Sequence, residues 1–588
     1  MTGDSVDYAP FQEIARKFPH IPHEDFKKSV QLITTTGEVL SGARAVLTTL
    51  RIADKGRWLL WLYERLPGFF SLSEWLYRFI ARNRNAFYKF TVLLWGQTVQ
   101  QPSYHFSRSL FLRCMGFIYC IAFFSLSVQI LGLVGSQGIL PASDVLEAIR
   151  QRFGGEGWYL FPTLTWFNAS DAFLQFLCLA GVVLSIVLII GLVPKPISFL
   201  LWLLYLSLCT AGQDFLSFQW DILLLEAGFL TIFLAPFSFV SGSQTGLPPS
   251  KAILWLIRLL LFRLMFQSGV LKLTSGDISW TNLTALTFHY ETQCIPTMLA
   301  WYVDQFPLAF QKLSVVVMFF IELVVPFTIF APRRLRMLGA FVLIGFQILI
   351  ILTGNYTFFN YLTIVLCLTL FDDRAIRRII SRRLAERITS TNTGAVRSPI
   401  GRLAITWFTW AMVVLNLTHL AGAFVEGRRT PELMASLMQW SSHFGIVNSY
   451  GLFRVITTSR PEIIVEGSND GREWRAYEFK HKPGDTLRAP PWVAPHQPRL
   501  DWQMWFAALG GYGTNEWFLK FMVRLLEGSP DVLALLAYNP FPAAPPRYIR
   551  ALLYEYHFTN AEQHHITGAY WRRDYRGIYL PAISLRRN

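Results

Sequence analysis

The sequence of 588 residues predicts an α-helical polytopic membrane domain of about nine spans, followed by a soluble, strand-rich α+β domain on the exoplasmic side. Three observations predict this fold class. Charged residues make up only 15% of the chain, whereas soluble proteins carry about 25%. The apolar residues, 53% in all, concentrate in long uncharged runs between residues 114 and 425. Lysines and arginines gather in alternate loops between those runs, as they do in membrane proteins.

The first 107 residues have the composition of a soluble segment, which the loop charges described below assign to the cytoplasm. Residues 31–34 predict a short strand, and a helix is expected after Ser41-Gly42. Residues 75–84 predict a basic amphipathic helix. Such a helix fits two interpretations equally, one in which it lies on the membrane surface and one in which it forms the solvated face of a small domain. Residues 1–10 contain no apolar signal-peptide region, so the first membrane span is expected to target the chain.

The membrane domain is assigned to residues 108–430, because a span needs about 20 mostly apolar residues. The predicted spans are 114–134, 171–193, 196–212, 216–240, 252–272, 310–330, 335–353, 356–371 and 403–425. The run at 356–371 is short, which also fits a tilted or re-entrant segment.

The orientation follows from the positive charges of the loops. With a cytoplasmic N-terminus, the inside loops hold thirteen lysines and arginines and the outside loops only Arg150 and Arg152. The inside residues are Lys195, Lys251, Arg333, Arg334, Arg336 and eight arginines from Arg374 to Arg402. The asymmetry explains the net charge of +15 without a nucleic-acid partner. An odd span count then makes residues 431–588 an exoplasmic domain.

The C-terminal domain has three predicted elements. Residues 462–467 and 474–479 flank an Asn-Asp-Gly turn and predict a β-hairpin. Residues 516–538 predict a helix broken near Gly528, and 547–558 predict a strand. The domain is rich in aromatic side chains, for which a core is favoured over a surface that binds a client protein. The client-binding candidates are Trp502, Trp505, Phe506, Trp517, Tyr554 and Tyr556.

Six ionisable residues lie in or beside the apolar spans. Each costs roughly 2.5–3.5 kcal/mol at the centre of a membrane helix. Three are acidic and three basic, so buried ion pairs that fix helix packing are favoured over a polar cavity for a ligand or for proton transfer. The six residues are Asp221, Glu226, Arg258, Arg263, Lys272 and Glu322.

The sequence predicts neither a metal site nor a cofactor. His289 and Glu291 share one loop, but no second His or Cys follows at ligand spacing. The six cysteines form no Cys-x-x-Cys pair. Nucleophile elbow, P-loop and dinucleotide motifs are absent as well, so a non-enzymatic protein is favoured.

Several long stretches, in order, resemble the lipase maturation factor family. They are FQWDILLLEAGFL (218–230), MFQSGVLKL (265–273), LTAL with HYETQ (283–293), NSYGLF (448–453), YEFK with KPGD (477–485), PRLDWQMWFAA (498–508) and WRR (571–573). The resemblance runs from about residue 108 to the end. It implies a protein in the lipid bilayer whose C-terminal domain helps secreted clients such as lipases to fold and assemble. Animal members reside in the endoplasmic reticulum.

Two further resemblances concern other parts of the chain. Residues 18–45 and 77–84 resemble the later half of a DCC-type thiol oxidoreductase domain, yet no cysteine precedes Cys114, so redox activity is not expected. This fusion resembles bacterial members and implies a bacterial plasma membrane, or the endoplasmic reticulum membrane in a eukaryote. The segment 268–273, followed by Trp280, is similar to the base-bearing helix of vitamin K-dependent γ-carboxylases. It implies an alternative, an intramembrane enzyme acting on a lipid, quinone or exported protein, with Lys272 as base near Glu226 and Asp221.

Overall fold

A computed structural model describes residues 6–53, 56–96, 102–239, 247–378, 398–422 and 432–585. The chain forms two compact units. The first comprises Met1–Gln100 with Pro332–Arg334, and the second comprises Gln101–Ala331 with Leu335–Asn588. The second unit therefore contains both the membrane helices and the C-terminal domain.

The first unit is a small hairpin followed by helices. Its elements are α1 (Phe11–Ile14), α2 (His23–Lys28), β1 (Gln31–Ile33), β2 (Val39–Ser41), α3 (Gly42–Ile52), α4 (Arg57–Arg65), α5 (Pro67–Arg82) and α6 (Arg84–Trp95). The predicted strand at 31–34 and the helix after Gly42 are confirmed. The predicted helix at 75–84 is also present, although Asn83 separates α5 from α6. The small core consists of Ala43, Leu60 and Tyr63.

The second unit begins with a series of helices. They are α7 (His105–Ser127), α8 (Ile130–Val134), α9 (Ala142–Phe153), α10 (Gly157–Leu160), α11 (Asp171–Ile190), α12 (Pro194–Gly212), α13 (Gln219–Leu234), α14 (Lys251–Thr274), α15 (Ile278–Thr281), α16 (Leu286–Thr292), α17 (Met298–Asp304), α18 (Leu308–Leu323), α19 (Arg333–Thr353), α20 (Phe359–Cys367), α21 (Asp373–Arg377), α22 (Pro399–Gly422) and α23 (Glu432–His443). Helix α14 is the most enclosed of the long helices. In its apolar 18-residue stretch 78% of the residues are buried, compared with 22% in α19.

Seven helices in the described part of the chain are long and apolar enough to cross a membrane, so the predicted count of nine is not confirmed. The seven are α7, α11, α12 with its 3-10 continuation to Leu216, α14, α18 with its 3-10 continuation to Phe330, α19 and α22. The predicted spans 216–240 and 356–371 correspond to α13, of 16 residues, and α20, of 9 residues. At 1.5 Å per residue, 16 residues extend about 24 Å, less than the roughly 30 Å of a hydrocarbon core. Helix α13 ends before Ala235-Pro236, where proline disfavours helix.

The C-terminal domain contains a four-stranded antiparallel sheet in the order β4-β3-β7-β8. Its elements are β3 (Pro461–Ser468), β4 (Arg475–Ala476), β5 (Glu478–Phe479), α24 (Arg499–Ala508), α25 (Glu516–Glu527), α26 (Pro530–Leu533), β6 (Leu536–Tyr538), β7 (Tyr548–Phe558), α27 (Ala561–Thr567) and β8 (Trp571–Ile583). The hairpin is confirmed, with Glu466 opposite Ala476. The helix predicted over 516–538 is wrong at its end. Gly528 stops α25 with a φ of 72°, and residues 536–538 pair with β5 instead.

Parts of some predictions lie outside the described residues. These parts are the proposed boundary at 430/431, the ends of the spans 216–240 and 403–425, and most of the arginine-rich loop, at 379–397.

Candidate functional site

A non-helical segment after α23 packs against the membrane helices α13 and α14. We call residues 445–453 the anchor segment. Two glycines allow its close approach, because a β carbon at Gly445 would lie 2.8 Å from Leu225 Cδ1 and one at Gly451 would overlap Leu271. Backbone that is not helical among membrane helices must find its hydrogen bonds within the protein.

Glu226 accepts three hydrogen bonds from the anchor segment, one from its backbone and two from its side chains. Its Oε2 accepts from the backbone N–H of Asn448 at 2.9 Å and from the Tyr450 hydroxyl at 2.8 Å. Its Oε1 accepts from the guanidinium of Arg263, which also donates to the Asn448 carbonyl at 3.0 Å. The Arg263 and Glu226 side chains are fully buried. Gln267 Oε1 accepts from the Tyr450 N–H at 3.2 Å. The intramembrane carboxylate therefore holds the anchor segment in place.

A second buried ion pair joins α13 to the C-terminal domain. Arg499, at the start of α24, donates to both oxygens of Asp221 at 2.8 and 3.0 Å and to the Phe215 carbonyl at 2.6 Å. Tyr205 adds a hydroxyl hydrogen bond to Asp221 at 2.5 Å. Burial alone lowers the pKa of the Arg499 guanidinium, but the ion pair with Asp221 outweighs burial and raises that pKa above its usual value. Arg499 therefore stays charged.

A third contact holds the loop after α16 against the sheet. The fully buried Arg460 donates to the carbonyls of Glu291, Gln293 and Cys294 at 2.5–3.0 Å and to Glu462 at 2.9 Å. Sequence reasoning missed Arg460 because nothing in Ser459-Arg460-Pro461 distinguishes it from a surface arginine.

The other intramembrane charges have partners within the bundle. Lys272 Nζ donates to both oxygens of Glu322 at 2.7 and 2.8 Å and lies 5.5 Å from the centre of the Trp280 ring. Arg258 donates to the Thr369 carbonyl at 2.6 and 3.1 Å. The six residues therefore do not simply neutralise one another, since Asp221 pairs with an arginine of the C-terminal domain and Arg258 with a backbone carbonyl.

Substitutions in the Lys272–Glu322 pair distinguish a structural role of Lys272 from the alternative in which Lys272 is a catalytic base. We expect Lys272→Met to destabilise the protein by about 3–5 kcal/mol, because it leaves Glu322 buried without its cation. The double variant Lys272→Met/Glu322→Leu should recover most of that loss. Thermal unfolding of the purified protein measures both. A Lys272→Met protein of normal stability that has lost activity would instead support the base.

The structure places the six aromatic candidates unequally. Trp502, Trp505, Trp517 and Tyr556 are buried, Tyr554 is half-buried, and Phe506 is 43% exposed. Trp502 packs edge-on against Trp220 of α13 at 4.7 Å between ring centres, and Trp505 donates to the Thr292 carbonyl at 2.9 Å. Trp502 therefore joins the domain to α13 and Trp505 joins it to α16, and Phe506 is the most exposed of the six candidates.

His289 and Glu291 have separate partners. His289 Nε2 lies 3.1 Å from the Tyr356 hydroxyl, and burial lowers the pKa of the imidazole to about 4, so it is neutral at pH 7. Glu291 contacts His557 at 3.1 Å and accepts from the Phe558 N–H at 2.7 Å. Across the described ranges, no three His, Cys, Asp or Glu side chains come together as a metal site would require.

The stretches that carry the family resemblance meet at these contacts. Residues 218–230 contain Asp221 and Glu226, and residues 448–453 contain the partners of Glu226. Residues 498–508 contain Arg499, the partner of Asp221. The resemblance therefore concentrates on the junction between the membrane bundle and the C-terminal domain.

Comparisons with known proteins agree with this pattern. The family model for the lipase maturation factor transmembrane domain matches residues 106–378, and that for the lipase maturation factor C-terminal domain matches 446–581. A DCC1-like thiol-disulfide oxidoreductase model matches residues 3–90.

Curated relatives extend the match over most of the chain. Lipase maturation factor 2 of Xenopus laevis is 38% identical over 82% of each chain. Human lipase maturation factor 2 is 35% identical, covering 81% of this chain and 82% of its own. Mouse lipase maturation factor 1 is 36% identical, covering 82% and 87%. No solved structure matches. The chain belongs to the lipase maturation factor family.

Proposed function

We propose that this protein is a membrane-bound maturation factor that helps secreted proteins, lipases among them, to fold and assemble. The observation that carries the proposal is the match of both its membrane helices and its C-terminal domain to one family, whose curated members are named for lipase maturation. The buried junction supports it further, because Asp221 and Glu226 of the membrane bundle bind Arg499 and the anchor segment of the C-terminal part of the chain.

The client-handling side is proposed to be the exoplasmic one, in a bacterial plasma membrane or, in a eukaryote, the endoplasmic reticulum. The charge distribution of the loops supports this side. The C-terminal domain contacts Gln129 after α7, Phe215 after α12 and Asn355 after α19. These are the helix ends that the same distribution assigns to the outside. We also propose nine membrane crossings, two of which consist of the short helices α13 and α20 together with the non-helical residues that flank them. The proposed domains are 1–107, 108–430 and 431–588.

We propose that a client binds at the outer edge of strand β8. In the described residues, β8 pairs with β7 and ends the sheet. Residues 572–576 are all exposed, whereas a strand with one packed face alternates. Both faces and the outer edge are therefore accessible there. The unpaired N–H and C=O groups of such an edge accept another extended strand, and a partly folded client offers such strands.

The side chains of β8 define which client strand fits. Tyr575 and Ile578 are 58% and 62% exposed and offer apolar contact. Three arginines, Arg572, Arg573 and Arg576, outnumber the single acid Asp574 in the exposed stretch. The positive edge repels a second copy of itself and favours a neutral or acidic client segment.

The test replaces the exposed apolar side chains while keeping strand propensity. We expect Tyr575→Thr/Ile578→Thr to lower the yield of an active co-expressed secreted lipase about tenfold, from the lost burial of two apolar side chains. The matched control is Leu487→Thr/Tyr538→Thr, which removes side chains of similar exposure, 58% and 59%, that are not part of β8. An unchanged yield in the β8 variant, or an equal loss in the control, would contradict the β8 surface.

Deleting residues 431–588 would be a less informative test. It removes Arg499 and the anchor segment together, which leaves Asp221 without its arginine and Glu226 without its anchor-segment donors among the membrane helices. Loss of function would then reflect an unstable membrane domain as much as a missing client surface.

A further inference from the structure

Helices α5 and α6 of the first unit expose an unusual amount of apolar surface. Neither helix buries a single residue, although both are rich in aromatic and aliphatic side chains. Soluble proteins rarely leave a large contiguous apolar patch uncovered. We call this surface the apolar belt. Its principal side chains, between 46% and 68% exposed, are Trp75, Leu76, Phe79, Tyr88, Phe90 and Leu93.

The same helices carry a positive charge. Arg78, Arg82, Arg84 and Lys89 are exposed, and the one acid, Glu74, is half-buried and accepts from the Tyr63 hydroxyl at 2.8 Å. At about 100° per residue, Arg78 and Arg82 lie on the flank of the arc that contains Trp75 and Phe79. Arginines in this position reach phosphate groups while their methylene stems stay beside apolar surface.

We propose that the apolar belt docks on the anionic headgroup region of the bilayer in which the chain is anchored. An amphipathic helix with tryptophans and phenylalanines on one face and arginines beside them has the composition of an interfacial helix. Its positive charge complements anionic lipid. Only residues 96–104 separate α6 from the membrane helix α7, and nine extended residues reach at most about 30 Å. The belt is therefore tethered close to a membrane surface.

This proposal gives the first unit a role that does not depend on thiol chemistry. The unit matches a thiol-disulfide oxidoreductase family, yet residues 1–113 contain no cysteine to exchange a disulfide. Lipid binding requires only the side chains that α5 and α6 present. It is independent of client binding at β8.

The experiment measures the depth of the belt in the full-length protein. Two variants, Leu76→Cys and Leu93→Cys, each add one cysteine that carries an environment-sensitive fluorophore. Each protein is placed in nanodiscs of 7:3 phosphatidylcholine to phosphatidylglycerol, with one copy per disc. The matched control is Glu38→Cys, exposed on the β1–β2 turn of the same unit. The unsubstituted chain gives the background from its six native cysteines. Lipid-linked nitroxide and aqueous iodide are the two quenchers.

We expect nitroxide to quench the probes at 76 and 93 at least about twofold more than the control probe, and iodide to quench the control more. Probes that iodide reaches freely would overturn the proposal. Protection from both quenchers would overturn it too, because the belt would then be covered by protein, and the single copy per disc identifies that protein as the same chain.

A charge variant tests the lipid specificity. We expect Arg78→Gln/Arg82→Gln/Arg84→Gln to lower nitroxide quenching by roughly half, and high salt to act in the same direction. The control Arg16→Gln/Lys17→Gln/Lys28→Gln removes the same charge from exposed positions elsewhere in the unit and should leave quenching unchanged. Equal effects of the two triple variants would contradict docking through the belt.

Discussion

Arg499→Leu should destabilise the whole second unit by about 3–5 kcal/mol, because it leaves the Asp221 carboxylate buried without its cation. Arg499 is 1% exposed and binds both oxygens of Asp221 as well as the Phe215 carbonyl. We expect a lower midpoint of thermal unfolding and a smaller monodisperse fraction in detergent. Both quantities come from the purified full-length protein.

Two variants make this expectation specific to the buried pair. Asp221→Asn/Arg499→Met removes both charges and keeps an acceptor for the Tyr205 hydroxyl, so it should regain much of the stability. Arg150→Leu is the arginine control, because Arg150 and its partner Glu147 are 62% and 55% exposed. An exposed pair of that kind contributes only about 0–1 kcal/mol. Equal destabilisation by Arg499→Leu and Arg150→Leu would refute the proposed role of the junction.

Glu226→Leu should release the anchor segment from the membrane bundle. The substitution leaves Arg263 as an uncompensated buried charge, which costs about 3–5 kcal/mol, and removes the acceptor of Asn448 N–H and the Tyr450 hydroxyl. We expect protease to cleave near residues 445–453 much faster than in the wild type. Mass spectrometry of the fragments locates the cut.

Thr231→Val is the matched control on the same helix. Thr231 is fully buried, but its hydroxyl donates to the Ala227 carbonyl of its own turn at 2.7 Å. Loss of this hydroxyl should therefore lower the stability of the protein by no more than about 1 kcal/mol. The anchor segment should stay protected from protease. If Glu226→Leu and Thr231→Val give the same cleavage pattern, Glu226 does not hold the segment.

The two outcomes together bear on how the protein handles clients. The Arg499–Asp221 ion pair and the hydrogen bonds of Glu226 to the anchor segment both join the C-terminal part of the chain to α13. Either substitution should therefore loosen the domain that is proposed to bind a client. We expect both to reduce lipase maturation in proportion to the folded protein that remains. A larger loss of activity than of folded protein would point to chemistry at the intramembrane carboxylates instead.

Local sequence patterns predicted the elements that depend on nearby residues. The apolar runs predicted the long helices, and the Asn-Asp-Gly turn predicted the hairpin after β3. The patterns failed for β8, because its residues 572–576 are exposed on both faces and show no alternation. They also overextended α13, whose helix stops at Leu234 although the apolar sequence continues.

Composition and loop charge are enough to establish that this chain is a multi-span membrane protein with a folded C-terminal domain, since hydrophobic transfer and positive loop charge act residue by residue. Which charges neutralise each other is a different kind of question. Asp221 meets Arg499 across 278 positions of sequence, and Glu226 meets Asn448 across 222. Coulomb energy and hydrogen bonding depend on distances of a few ångströms, and only the folded chain brings such distant residues that close.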